Sequence, residues 1–146
     1  ASMPALSRFV KLDSYSLSDG GTADSIPVRF FESIGYDRNV VILTQPEGYV
    51  KKPNQLLPLL RILLWKNPAL IHALENRHER YNETLAYIRE QERSGNLLVI
   101  RPEAPLNIGA VERHTEELER VYQIGRKEGE KRLREVKKFL KRNTPL

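Results

Sequence analysis

A carboxylate and two glycines stand where a strand pattern gives way to a helix pattern near the start of the chain. Apolar and polar residues alternate before Asp19-Gly20-Gly21, and residues 28–34 have the pattern of a short helix that ends at Gly35. Glycine has no Cβ and tolerates positive φ, so another backbone or a ligand can approach closely. The spacing therefore predicts a tight turn that presents Asp19 at a strand-to-helix junction.

A second apolar run, residues 39–43, is rich in β-branched side chains and predicts a buried strand. Strand, turn, helix and strand in succession indicate a βαβ-like unit, and hence an α/β fold with a mostly parallel sheet. Ligands of open α/β sheets bind at the carboxyl ends of strands. Asp19 and Thr44 each follow such an end, so both are candidate site residues. The alternative is that they only satisfy loop backbone groups.

The run from Leu56 to Trp65 contains a single charged residue, Arg61, and predicts a helix that is apolar almost all round. It is too short to span a bilayer. We expect it to be buried against the sheet or against a further part of the protein. Because Lys51 and Lys52 precede it, peripheral membrane contact is the alternative, since interfacial helices combine basic and apolar residues.

The rest of the chain is predicted to be mainly helical, with one short strand. A short helical turn is expected at residues 68–75, a helix from a capping pattern that starts at Asn76 to near Ser94-Gly95, a strand at residues 97–100, and a last helix from Thr115 to about 142. The last helix carries a stripe of residues at spacings of three or four, which marks it as a docking helix: Leu118, Tyr122, Gly125, Gly129, Leu133, Val136 and Leu140. Two glycines on that stripe predict close approach by another element.

Composition excludes several classes of function. The 146 residues include no cysteine, so there is no thiol nucleophile or disulfide framework, and the three histidines lack the spacing of a zinc motif. We expect no cofactor and no metal. The net charge of +5 comes from the last helix, where nine basic residues face three glutamates between Arg126 and Arg142, while the rest sums to −1. Regular glutamates offset the charge, and Phe139 is the one aromatic residue in that stretch, so nucleic-acid binding is not expected.

The chain resembles the bacterial branch of the patatin-like phospholipases. The resemblance is carried by motifs in series over nearly the whole chain: Asp19-Gly20-Gly21-x-x-Asp24-Ser25-Ile26-Pro27, Val40-Val41-Ile42-Leu43-Thr44-Gln45-Pro46, Gly48-Tyr49-x-Lys51-Lys52-Pro53, Asn76-Arg77, Tyr81-Asn82-x-Thr84-Leu85, Ile100-Arg101-Pro102, Pro105-Leu106 and Tyr122-x-x-Gly125.

The resemblance implies a three-layer α/β sandwich and a Ser–Asp dyad that hydrolyses acyl esters of lipids, and it gives a role to Asp19 alone, as the base. Gly20, Gly21 and Thr44 are candidates for the edge of the site because of their places in the chain: the glycines leave room for close approach, and Thr44 follows a strand. The family's glycine-rich oxyanion loop and G-x-S-x-G elbow both precede the Asp-Gly-Gly motif, and none of the serines here has that spacing. We therefore expect residues 1–50 to be the C-terminal part of a catalytic domain and residues 51–146 a mainly helical region on the same core.

This interpretation implies an N-terminal half of the same protein that supplies the serine, so we expect the chain alone to be inactive. Lipids or other acyl esters would be the substrates. The absence of cysteine suits a cytoplasmic location, with peripheral contact at the inner membrane face. The alternative from another class is a non-catalytic interaction module that docks through its C-terminal helix.

Overall fold

A computed structural model describes residues 9–109 and 111–141. The fold is mixed α/β and dominated by helices. Its elements in chain order are β1 (Val10–Leu12), β2 (Tyr15–Leu17), a 3₁₀ turn (Gly20–Thr22), α1 (Val28–Ser33), β3 (Asn39–Ile42), α2 (Leu57–Leu63), α3 (Pro68–Glu75), α4 (Arg77–Arg93), β4 (Leu97–Ile100) and α5 (Thr115–Lys141).

The described residues form two compact units. One comprises residues 9–27 and 50–87, and the other residues 28–49, 88–109 and 111–141. Each unit therefore draws on both sides of the predicted boundary between residues 50 and 51, and helix α4 supplies residues to each. That boundary, drawn for the domains of a longer parent protein, stays a prediction.

In the first unit, the residues before Asp19 form an antiparallel hairpin rather than one strand. Val10 pairs with Leu17 and Leu12 with Tyr15. The turn between the strands contains Asp13 at φ 52°, a left-handed conformation that hairpin turns demand and that Asp tolerates. Within residues 9–109 and 111–141, β1 and β2 make a sheet of their own. The prediction of a βαβ unit that pairs this strand with β3 is therefore wrong.

The first unit also holds helices α2 and α3. The ion pair between Arg61 on α2 and Glu75 on α3, at 2.6 Å, links the two. The interior of the unit contains buried leucines at Leu64, Leu74 and Leu85. Within the described residues most of the apolar run is not buried: Leu56, Leu59, Ile62, Leu63 and Trp65 are 53–73% exposed. Burial against a further part of the protein stays a prediction.

The second unit is built on a parallel pair of strands. β3 and β4 pair from Asn39 with Leu97 to Ile42 with Ile100, which confirms a parallel sheet at residues 39–43. The strand is not buried throughout, however, because Ile42 is 74% exposed. Parallel sheets are normally covered on both faces, and within the described residues one face of β3 is not.

Helix α1 contacts β3, and helix α5 packs against β4. The face of α5 toward the strand includes Arg132, whose guanidinium donates to the Val99 carbonyl oxygen at 3.1 Å. The predicted stripe lies mainly elsewhere, with Tyr122 57% exposed. No described atom lies within 4 Å of a Cβ built on Gly125 or Gly129, so the close approach predicted there is not made within the described residues.

Every helix in the described part of the chain falls short of the length or the apolar character that crossing a lipid bilayer requires.

Candidate functional site

The carboxylate of Asp19 begins the 3₁₀ turn that follows the hairpin. Its Oδ1 accepts a hydrogen bond from the Gly21 N–H at 2.8 Å, and its carbonyl oxygen accepts from the Thr22 N–H at 3.1 Å. Asp favours such a position because a short side chain with an oxygen acceptor satisfies the free N–H groups at a helix start. Asp19 is half-buried. The turn thus fixes one carboxylate oxygen, while no described protein group donates to Oδ2.

The structure gives a steric reason for a glycine at position 21 but not at position 20. Neither Gly20 nor Gly21 has positive φ, and both belong to the 3₁₀ turn. A Cβ on Gly20 would meet nothing within 4 Å, whereas one on Gly21 would lie 3.1 Å from Asp19 Oδ1. Gly21 therefore allows the close contact between its own N–H and the carboxylate, and Gly20 leaves open space beside it.

Arg77, at the start of α4, holds the same turn from the other side. Its Nε donates to the Gly21 carbonyl oxygen at 2.9 Å, and its terminal NH2 group donates to Ser25 Oγ at 3.3 Å. The Ser25 hydroxyl in turn donates to the Gly21 carbonyl at 2.7 Å. Asp19, Gly20, Gly21 and Arg77 are consequently brought together in the first unit.

Thr44, the remaining predicted site residue, belongs to the second unit. It is exposed and comes two residues after the end of β3. The neighbouring Leu43 N–H donates to the Ile100 carbonyl at 2.8 Å and continues the parallel ladder up to that point. Thr44 therefore lies at the carboxyl end of the strand, as the sequence pattern predicts.

The first unit has a second polar feature, a contact between Asn82 and Lys51, that the sequence motifs did not predict. The Asn82 side chain on α4 bonds both backbone groups of Lys51, accepting from its N–H at 2.8 Å and donating to its carbonyl at 3.0 Å. The Lys51 ammonium lies 4.9 Å from the centre of the Tyr81 ring. An asparagine within a helix whose side chain satisfies a loop backbone is a weak sequence signal, because most such residues face solvent.

The electrostatic environment of Lys51 is unfavourable for its charge. Partial burial, and then the nearby guanidinium of Arg77, lower the pKa of Lys51 below its ordinary value. Within residues 9–109 and 111–141, none of Lys51, Lys52 and Arg77 forms an ion pair with a carboxylate. The first unit therefore holds several cations together without an opposing charge.

The described residues contain no cluster of three or more histidine and carboxylate side chains that could hold a metal ion. His72 and His78 lie on neighbouring helices, but each contacts its own surroundings, and His78 Nδ1 donates to the Glu75 carbonyl at 3.0 Å. The carbonyl can only accept, so Nδ1 is the donor in this bond.

Comparison with known proteins gives one match. No curated protein and no solved structure is similar to the chain. The profile of a domain of unknown function, DUF6363, matches residues 67–141, which include α3, α4, β4 and α5. Because this match covers more than half of the sequence, the chain belongs to the DUF6363 family.

Proposed function

We propose that the chain is the C-terminal half of a patatin-like lipid acyl hydrolase, in which Asp19 is the base of a Ser–Asp dyad. The observation that carries the proposal is the geometry of Asp19, whose Oδ1 is fixed by the Gly21 N–H while Oδ2 receives no hydrogen bond from the described protein groups. A base needs an oriented carboxylate with one oxygen left to take a proton.

The chemistry follows from the weakness of serine as a nucleophile. A hydroxyl attacks an ester carbonyl effectively only when a neighbouring base accepts its proton. In this proposal Asp19 takes that proton and passes it to the alcohol that leaves as the serine forms an acyl-enzyme. The regenerated carboxylate then takes a proton from water, which attacks the acyl-enzyme and releases the fatty acid and the free serine. The serine and the oxyanion donors come from the N-terminal half of the same protein, and the chain alone is inactive.

Exposed apolar surface in the second unit supports such an upstream half. Ile42 on β3 and Phe30, Phe31 and Ile34 on or after α1 are 44–74% exposed. A parallel sheet is stable when both faces are covered, so a further layer of the same protein is the fitting occupant. The proposed fold is accordingly a three-layer sandwich in which β3 and β4 are two strands of a larger sheet.

The apolar run of α2 supports peripheral contact with a membrane as part of the same proposal. Ile62, Leu63 and Trp65 are 60–73% exposed, and Lys66 lies with its ammonium 5.2 Å from the Trp65 ring. Interfacial segments combine tryptophan and aliphatic side chains with basic residues in this way. Together with the absence of cysteine, this favours the cytoplasm and the inner membrane face as the location.

One observation favours the second candidate, a non-catalytic interaction module. Leu118, Tyr122, Leu133 and Leu140 on α5 are 47–57% exposed, and the space beside Gly125 is open. A helix with this surface suits docking of a partner helix. Binding through α5 would survive replacement of Asp19, which separates this candidate from the hydrolase.

Hydrolysis of a p-nitrophenyl ester tests the main proposal, using this chain and the polypeptide encoded by the whole reading frame. Asp19→Asn keeps the acceptor for the Gly21 N–H but removes the base, so it should abolish activity of the longer polypeptide. Asp24→Asn is the matched control, because Asp24 lies in the same loop, is exposed, and its carboxylate accepts from the Ile26 N–H at 3.1 Å, a bond that the amide oxygen of Asn can also accept. That variant should retain activity.

Two results would contradict the proposal. Activity of the longer polypeptide that persists in Asp19→Asn would remove Asp19 as the base. Activity of the 146-residue chain alone, lost in Asp19→Asn, would show that the serine is not upstream.

A further inference from the structure

A small basic cavity opens in the first unit beside the residues that hold Lys51. Its volume is about 220 Å³, and it is lined by Lys51, Lys52, Asn54, Leu74, Arg77 and His78. Three cations, a histidine and an amide thus face one space, and no carboxylate lines it. Cavities that bind drug-sized molecules run from about 300 to 1,000 Å³, so this one suits a smaller group.

The backbone and side chains around the cavity are fixed before any ligand binds. Asn82 clamps both backbone groups of Lys51, and two acceptors, the Gly21 carbonyl and Ser25 Oγ, orient the guanidinium of Arg77. A guanidinium has five N–H groups, so the two bonds leave three for another acceptor. Prepositioned donors lower the entropy cost of binding.

The charges at the cavity are not balanced by the acids nearest in sequence. The carboxylate of Glu75 is engaged by Arg61 at 2.6 Å, and that of Glu79 lies 3.9 Å from His78 Nε2. Lys51, Lys52 and Arg77 form no ion pair within the described residues. Like charges held close together raise the free energy of the folded state, and a bound anion removes that cost.

We propose that this cavity binds a phosphate group, with Lys51 and Arg77 as its main contacts and Lys52, Asn54 and His78 around it. A phosphate group carries close to two negative charges at neutral pH and several acceptor oxygens. Arg supplies planar paired donors and Lys a compact point charge. Together they match the charge and the oxygens of a phosphate group better than those of a single carboxylate. The proposal does not depend on Asp19 being catalytic.

Asn54 connects the cavity to the exposed helix α2. Its Oδ1 accepts from the Leu56 N–H at 3.0 Å, and its carbonyl accepts from the Leu57 N–H at 3.1 Å, at the start of that helix. The phosphate could therefore belong to a phospholipid headgroup or to a soluble ion or ester. The shared chemistry is the phosphate group, and the probes below separate the two sources.

The test is titration of the 146-residue chain with inorganic phosphate at constant ionic strength, followed by NMR, with sodium chloride as the reference salt. Saturable shifts at Lys51, Arg77 and His78 are expected. Lys51→Met removes the charge, keeps the chain length and should weaken phosphate binding about tenfold or more, the effect of losing a charge-assisted hydrogen bond. Lys11→Met, a change of an exposed lysine in the same unit outside the cavity, should leave the affinity unchanged.

Vesicles of phosphatidylcholine with and without phosphatidic acid identify the source. Extra binding to phosphatidic acid that is lost in Lys51→Met but not in Lys11→Met assigns the site to a lipid headgroup, whether or not free phosphate binds. Saturable phosphate binding with no such vesicle effect assigns it to a soluble phosphate compound. The proposal is overturned if neither probe binds, or if Lys51→Met and Lys11→Met change binding equally.

Discussion

Arg77 joins the two polar features of the first unit: its Nε donates to the Gly21 carbonyl at 2.9 Å, and its side chain also lines the basic cavity. Gly21 is the residue whose N–H holds the Asp19 carboxylate. A single guanidinium therefore lies between the candidate base and the proposed phosphate site. Changes at Arg77 are expected to alter both, whereas changes at Asp19 or Lys51 should alter one.

Arg77→Lys keeps the positive charge but loses the planar fork, so one amine cannot reproduce the bonds to both the Gly21 carbonyl and Ser25 Oγ. We expect a loss of about 1–2 kcal/mol in the free energy of unfolding, measured by urea denaturation. Arg80→Lys, an exposed change on the same helix, should stay within about 0.5 kcal/mol of the unchanged chain. Equal effects of the two substitutions would show that the bonds of Arg77 do not stabilise the turn.

The two glycines of the turn give a matched pair of substitutions. Alanine reduces the freedom of the unfolded chain and stabilises a protein by about 0.4–1 kcal/mol where the native φ suits it. Gly20→Ala should show this gain, because φ is not positive and the space is open. Gly21→Ala should lose it, because the new Cβ would lie 3.1 Å from Asp19 Oδ1 and displace the carboxylate. Thermal unfolding of both variants measures the difference, and equal gains would contradict the described turn.

Local pattern predicted most element boundaries. The prediction of a helix at residues 68–75 matches α3, because Pro68 fixes its first turn and the pattern ends at Asn76. The helix that stops at Gly35 is also confirmed, since that glycine has φ 95°. Strand periodicity, by contrast, does not identify the partner of a strand. The hairpin of β1 with β2 and the pairing of β3 with β4 required the structure.

The candidate site could also be predicted only in part, because local sequence patterns do not identify contacts between distant residues. Asp19, Gly20 and Gly21 are adjacent in sequence, so a motif reveals them together. The bond from Arg77 to Gly21 crosses 56 residues and the clamp of Asn82 on Lys51 crosses 31, and no spacing rule indicates contacts at such separations. For α2, an apolar composition favours burial but does not identify the surface that covers the helix, so burial against a further part of the protein stays a prediction beside membrane contact.

Helix α2 offers a test in which adjacent leucines give different results. Leu63 is 60% exposed and Leu64 is 6% exposed. Leu63→Ser should change the free energy of unfolding by no more than about 0.5 kcal/mol but reduce sedimentation with lipid vesicles. Leu64→Ala should cost about 2–5 kcal/mol, because it leaves a cavity among buried side chains. If the double variant Leu63→Ser, Trp65→Ser binds vesicles as well as the unchanged chain does, α2 is excluded as the membrane contact.

Lys51 makes stability depend on pH in the alkaline range. Burial and Arg77 hold its pKa below the ordinary value of 10.5. Between the lowered pKa and 10.5 the unfolded chain therefore binds more protons than the folded one, so the contribution of Lys51 to stability rises with pH across that window. At lower pH Lys51 is charged in both the folded and the unfolded state. Its charge, partly buried and close to Arg77, then lowers the free energy of unfolding.

Phosphate should oppose this effect, because a bound anion favours the charged ammonium and raises the pKa of Lys51. Phosphate affinity should consequently fall as pH rises through the pKa of Lys51, while Arg77 remains charged throughout. A ¹⁵Nζ titration with and without phosphate measures the two pKa values, and urea denaturation of the unchanged chain and Lys51→Met measures the stability slope. If both proteins show the same slope in the alkaline window, Lys51 is not the group that carries the cost of the unpaired charge.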